Sequence, residues 1–158
     1  MKKLTALLLA VLLVFGLAAC AGSPAESNAK PGDTMTLQDI LTSITKDVAD
    51  LPDTETTALT KDNFEYFAFT AMPDGVEAIA ADALINAVAH SVVLMRAQDA
   101  ETAKKLAADV ETNLNPAKWV CVEAEKTAVL VHNCTVLLVM SWSDVTDALT
   151  ANFNALWS

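Results

Sequence analysis

Residues 118–141, KWVCVEAEKTAVLVHNCTVLLVMS, decide how this chain folds. They hold three runs rich in β-branched and apolar residues: 118–125, 127–132 and 134–141. The runs are parted only by Glu125-Lys126 and His132-Asn133. Short runs with short breaks predict a meander of hairpins. Upstream, His90 to Arg96 carries Val92, Val93, Leu94 and Met95 without a polar break, which reads as a buried strand. Residues 77–88 are rich in alanine, which favours helix. A helical stripe through Ile79 would, however, bury Asp82 or Asn86, whereas alternation puts Ile79, Ala81, Ala83 and Ile85 on one face. Strand is the better reading there.

Helices fill the remaining intervals. Leu37, Ile40, Leu41, Ile44, Val48 and Leu51 recur at helical spacing after Thr36, predicting an amphipathic helix from 37 to about 50 that Pro52 ends. A short helix can start near Thr60, and Met72-Pro73-Asp74-Gly75 is a turn. Asp99 caps a helix whose stripe is Ala103, Leu106, Ala107, Val110 and Leu114, and Asn115-Pro116 stops it. A last helix follows Ser143, with Val145, Leu149, Phe153 and Leu156 on one side. The expected class is α+β: a mostly antiparallel sheet of about five strands with helices packed on one face.

The N-terminus has a different character. MKKLTALLLAVLLVFGLAAC sets two lysines before an apolar run, Leu4 to Phe15, that falls short of the ~20 residues a spanning helix needs. It ends in Leu17-Ala18-Ala19-Cys20, which resembles the lipobox of bacterial lipoproteins. That resemblance implies a signal peptide over 1–19, cleaved before Cys20, and a diacylated Cys20 thiol. Two or three acyl chains hold a protein stably on a membrane. Residues 20–35, with Pro24 and Pro31 among small polar side chains, read as a lipid-anchored flexible linker spanning roughly 20 Å. Residues 36–158 then form a single domain, expected to be a monomer.

Larger features point the same way. The lipobox, the opening amphipathic helix and the strand followed by Asp99-Ala100-Glu101-Thr102-Ala103-Lys104-Lys105 resemble the small lipoproteins of Firmicutes grouped as domain of unknown function 4358. The step Lys118-Trp119 and the terminal strand Val136 to Met140 extend the resemblance over about residues 37–157. It implies an α+β domain on the outer face of the cell membrane, and it carries no site residues across.

Composition limits the chemistry. Ten basic against twenty acidic side chains give a net charge of −10; loss of Lys2 and Lys3 with the leader makes it −12. Nucleic acid, which needs a basic surface, is excluded as a partner. Four glycines and one arginine, Arg96, leave no phosphate cradle. His90 and His132 lack the close spacing of metal ligands and read as strand-end or surface residues, so neither a metal nor another cofactor is expected. In a simple meander Cys121 and Cys134 lie two strands apart, beyond disulfide reach. They are then two buried free thiols, unless a different strand order bridges them. Asp144 and Asp147 suit the first turn of a helix better than an acid–base pair. Trp119, Trp142 and Trp157 are the candidate partner-binding residues, since tryptophan is favoured at interfaces; equally, they can close the rim of a small core. The reading is a non-catalytic binding or accessory lipoprotein of the cell envelope. A small surface hydrolase and a purely structural envelope component are the alternatives.

Overall fold

The computed structural model describes residues 29–158. The signal peptide, Cys20 and the linker up to residue 28 lie outside the described residues. In chain order the elements are α1 (Pro31–Thr34), α2 (Leu37–Thr45), β1 (Thr54–Ala58), α3 (Phe64–Ala68), β2 (Glu77–Ala83), β3 (Ser91–Arg96), α4 (Ala100–Asn113), β4 (Lys126–His132), β5 (Thr135–Ser141) and α5 (Ser143–Ala155). The five strands form one antiparallel sheet in the order β1-β2-β3-β5-β4. After β3 the chain crosses through α4 to the edge strand β4, then turns back so that β5 pairs with β3. This is the α+β class expected from the sequence.

Helices cover both faces of the sheet, which corrects the expectation of one. Central strands β3 and β5 are apolar at nearly every position, so each face presents hydrocarbon that needs a cover. Ala80, Val93, Met95, Leu138 and Met140 point to one side, where Phe64 of α3 and Ala103, Leu106 and Val110 of α4 meet them. Ala81, Val92, Leu94, Leu137 and Val139 point to the other, against Ile40, Leu41 and Ile44 of α2 and Val145, Leu149 and Phe153 of α5. Continuous apolar runs conceal the two-residue period, and with it the second face.

The helices start where their caps dictate. Thr36 Oγ1 accepts from the Asp39 N–H at 3.1 Å and donates to the Asp39 carboxylate at 2.7 Å. The Asp99 carboxylate accepts from the Thr102 N–H at 2.7 Å. Helix α2 stops at Thr45, short of residue 50, and the chain turns through Asp47 and Asp50, both in the left-handed region at φ 58° and 57°. The strand expected over 77–88 ends at Ala83, and residues 84–90 make the return to β3.

Two further expectations fail. Residues 118–125 are not a strand; the fifth strand is β1, sequence TETTA, on the other edge. The linker expected over 20–35 has its last residues built into the domain, as α1. Cysteine chemistry changes too. Cys121 is an exposed free thiol, while Cys134 is buried and disulfide-bonded, so these two do not bridge and are not a pair of buried free thiols. Among the described residues, no helix is long and apolar enough to cross a membrane.

Candidate functional site

The two ends of the sheet carry nearly all the polar chemistry. One end is marked by the pair Arg96–Thr135 and the other by Ser91–Met140. At about 3.4 Å per residue the ends are ~17 Å apart along β3.

At the Arg96 end the N-terminal segment is clasped. Arg96 donates from Nη1 to the Met35 carbonyl at 2.6 Å, from Nη2 to the Gly32 carbonyl at 3.1 Å, and from Nε to Thr135 Oγ1 at 3.3 Å. The Asp33 carboxylate accepts from Asn133 Nδ2 at 2.7 Å, Trp157 Nε1 at 2.8 Å and the Lys30 N–H at 3.1 Å. Burial opposes its ionisation. The hydrogen bonds and the Arg96 charge outweigh that cost and hold its pKa below the ordinary value. Gly32 is buried under the Trp157 ring, and a Cβ there would lie 2.3 Å from it. Trp157 also stacks on His132, centroids 4.9 Å apart and planes 11° from parallel. The polar groups here bond the backbone of residues 30–35 or one another.

The Ser91 end is built on a buried cation. Lys118, whose side chain is 4% exposed, donates to Asp82 Oδ2 at 2.9 Å and to Ser91 Oγ at 3.0 Å. Ser91 in turn donates to Asp82 Oδ1 at 2.5 Å. Asp82 and Ser91 are cross-strand partners on β2 and β3, and alternation turns both to the α3/α4 face. The ammonium also stands 5.2 Å from the ring centres of Tyr66 and Phe67 and 5.0 Å from that of Trp119. Three ring faces and a carboxylate satisfy a charge that could not otherwise be buried. Burial nonetheless lowers the Lys118 pKa from its ordinary value, with the Asp82 charge and hydrogen bond opposing.

On the opposite face His90, only 1% exposed, holds Ser141 through Nδ1 at 2.8 Å. Its pKa is lowered to about 4; burial is the main cause, Asp82 opposes it and Lys118 adds to it. His90 is thus a neutral, buried hydrogen-bonding group and not a surface residue. His132 lies at the other end of the sheet, bonded through Nε2 to Asn154 Oδ1 at 2.8 Å. The two histidines are not brought together, and no metal-holding group of three His, Cys, Asp or Glu exists among the described residues.

The three tryptophans also separate. Trp157 is spent on the clasp. Trp142 lines a groove of about 530 Å³ at the start of α5, beside Asp50, Glu125 and Asp144. Trp119 belongs to the Lys118 ring wall. Asp147 is ion-paired with Lys126 at 2.5 Å and does not act with Asp144.

Periodicity could not find the Lys118 site, because its cation comes from an irregular segment 36 residues after Asp82. A signal existed nonetheless. Asp82 extends the buried Ala78–Ala80 side of β2 and therefore needed a partner.

Chemically, a serine hydroxyl 3.0 Å from a lysine amine is the skeleton of a serine–lysine pair. Here Asp82 favours the charged form of the lysine and accepts the hydrogen bond of the serine hydroxyl, and Ser91 is fully buried. The arrangement therefore fastens residues 114–125 onto the sheet. Comparison with known families, characterised proteins and solved structures finds no match to this chain.

Proposed function

We propose that the chain is a lipid-anchored, extracytoplasmic bacterial lipoprotein, a relative of the small lipoproteins it resembles. Its work is non-catalytic binding as an accessory protein of the cell envelope. The observation that carries this is the path of the chain. Residues 30–35, which follow the proposed anchor segment, are clasped to the Arg96 end. Lys30 follows Cys20 by ten positions, so an anchor at Cys20 keeps that end within at most about 35 Å of its lipids. On this reading the Ser91 end, farther along the chain's path from the anchor, is the one that meets other proteins of the surface.

The test is acylation of Cys20. In a lipoprotein-processing host, the full chain should yield an N-terminal peptide bearing diacylglycerol, and Cys20→Ala should leave unprocessed precursor without acyl label. Cys20 is the one cysteine of the chain besides Cys121 and Cys134, and a thioether there excludes a disulfide to Cys134. The mass of that peptide reads which of the two it carries, and a Cys20–Cys134 disulfide would refute the anchor. Normal acyl labelling of Cys20→Ala would refute the anchor.

A second reading, a surface hydrolase, has the Ser91–Lys118 contact in its favour. A broad esterase and hydrolase screen separates the two. Turnover lost in Ser91→Ala, His90→Ala or His132→Ala would displace the binding reading.

A further inference from the structure

Four large apolar side chains are exposed among the described residues: Tyr66 at 60%, Leu84 at 61%, Ile85 at 64% and Val120 at 99%. Each lies close to the Asp82–Lys118 pair, along the chain or by contact. Tyr66 is one wall of the Lys118 ring box, Val120 follows Lys118 by two residues, and Leu84 and Ile85 follow Asp82 on the turn out of β2. All four therefore sit at the Ser91 end, away from the clasp. Leu84 and Ile85 also border a notch of about 150 Å³ with Pro52, Ala83, Val88 and Asp53. A notch of that size suits one branched aliphatic side chain. Exposed apolar clusters with polar rims mark interaction surfaces.

The rim is acidic. Glu65 adjoins Tyr66, Glu123 follows Val120 by three residues, and Asp53 lines the notch; all three are exposed and none is in an ion pair. The nearby Lys118 is buried and neutralised by Asp82.

We infer that this end docks a protein segment that is basic overall and anchored by aliphatic side chains. The inference rests on the binding reading above and specifies its partner. A second copy of the chain would set acidic rim against acidic rim, and an anionic lipid surface would be repelled in the same way. Opposite charge would instead steer a basic segment onto the patch and make its capture salt-dependent.

The test uses the full chain in its native membrane. A photoreactive phenylalanine derivative is placed at position 85, or at position 104 on the outer side of α4, and the crosslinked peptide is sequenced by mass spectrometry. Position 85 should capture a peptide of net positive charge containing Leu, Ile or Val, and position 104 should not. Glu65→Gln with Glu123→Gln, or Leu84→Ser alone, should lower the yield about fivefold or more, and added salt should lower it likewise. Capture of an acidic segment, a lipid or a second copy would overturn the inference. So would no capture, or a yield indifferent to the variants. Acylation of Cys20 is read in the same cells, so a failed anchor is distinguishable from a failed docking surface.

Discussion

The Arg96 end and the Ser91 end of the sheet are equally polar in sequence and opposite in use. At the first, Arg96, Asp33, Asn133 and Trp157 bond backbone or one another across segments that are distant in sequence, closing the chain's entry onto its last helix. None of the four most exposed large apolar side chains lies there. At the second, one lysine and one aspartate hold an irregular segment down, and the large exposed apolar side chains belong to the same end of the sheet. The difference teaches two ways of holding a segment: a buried ion pair pins residues around Lys118 at one end, and a set of bonds to backbone carbonyls pins the N-terminal segment at the other.

The largest expected effect comes from breaking that support. Lys118→Met keeps the stem and the ring contacts but strands the Asp82 charge, and should cost about 2–4 kcal/mol in urea unfolding. Adding Asp82→Asn should return part of the loss. A single variant as stable as wild type would show that the pair holds nothing.

Acid should weaken the same end by a similar amount. Unfolded, His90 takes a proton below its ordinary pKa of 6.5; folded, only below about 4. Unfolding therefore takes up a proton between those values. Stability is full above about pH 6.5 and falls as pH drops toward 4, by up to about 3 kcal/mol. The difference between wild type and His90→Gln across that window isolates this contribution. Parallel curves would mean that His90 titrates freely in the fold.

The clasp should give a smaller and local response. Gly32→Ala drives a methyl into the Trp157 ring and should cost about 1–3 kcal/mol. Amide exchange should speed at residues 31–35 while the core strands stay protected. Uniform protection would show that α1 does not need the close approach.

Smallest of all, Leu84→Ser and Ile85→Ser should change stability by no more than about 0.5 kcal/mol, because both side chains are exposed. A larger loss would place them in the core and remove the contrast between the ends.

How much of this was legible in the sequence follows from what each feature depends on. Helices α2 and α4 announce themselves, since Thr36 and Asp99 cap regular apolar stripes. Strands β3 and β5 are as plain, being unbroken apolar runs. Strand β1 was not legible: Thr54-Glu55-Thr56-Thr57-Ala58 is an edge strand with polar side chains, held by its ladder to β2. Conversely, Trp119, Val120 and Val122 imitate a strand, yet Val120 stands in solvent and Lys118 does the fastening. The clasp depends on Gly32 meeting Trp157, 125 residues later in the chain, a contact that local pattern cannot express.

The most direct test of the account is which end of the domain faces the membrane. With Cys121→Ser as background, a fluorophore is attached to a cysteine introduced at Asp74, at the Arg96 end, or at Ile85, at the Ser91 end. Energy transfer to acceptor-labelled headgroups is then measured for the full lipidated chain in vesicles. The account predicts stronger transfer from position 74, with position 85 farther out by up to about 17 Å. Equal transfer from the two positions, or stronger transfer from 85, would contradict it.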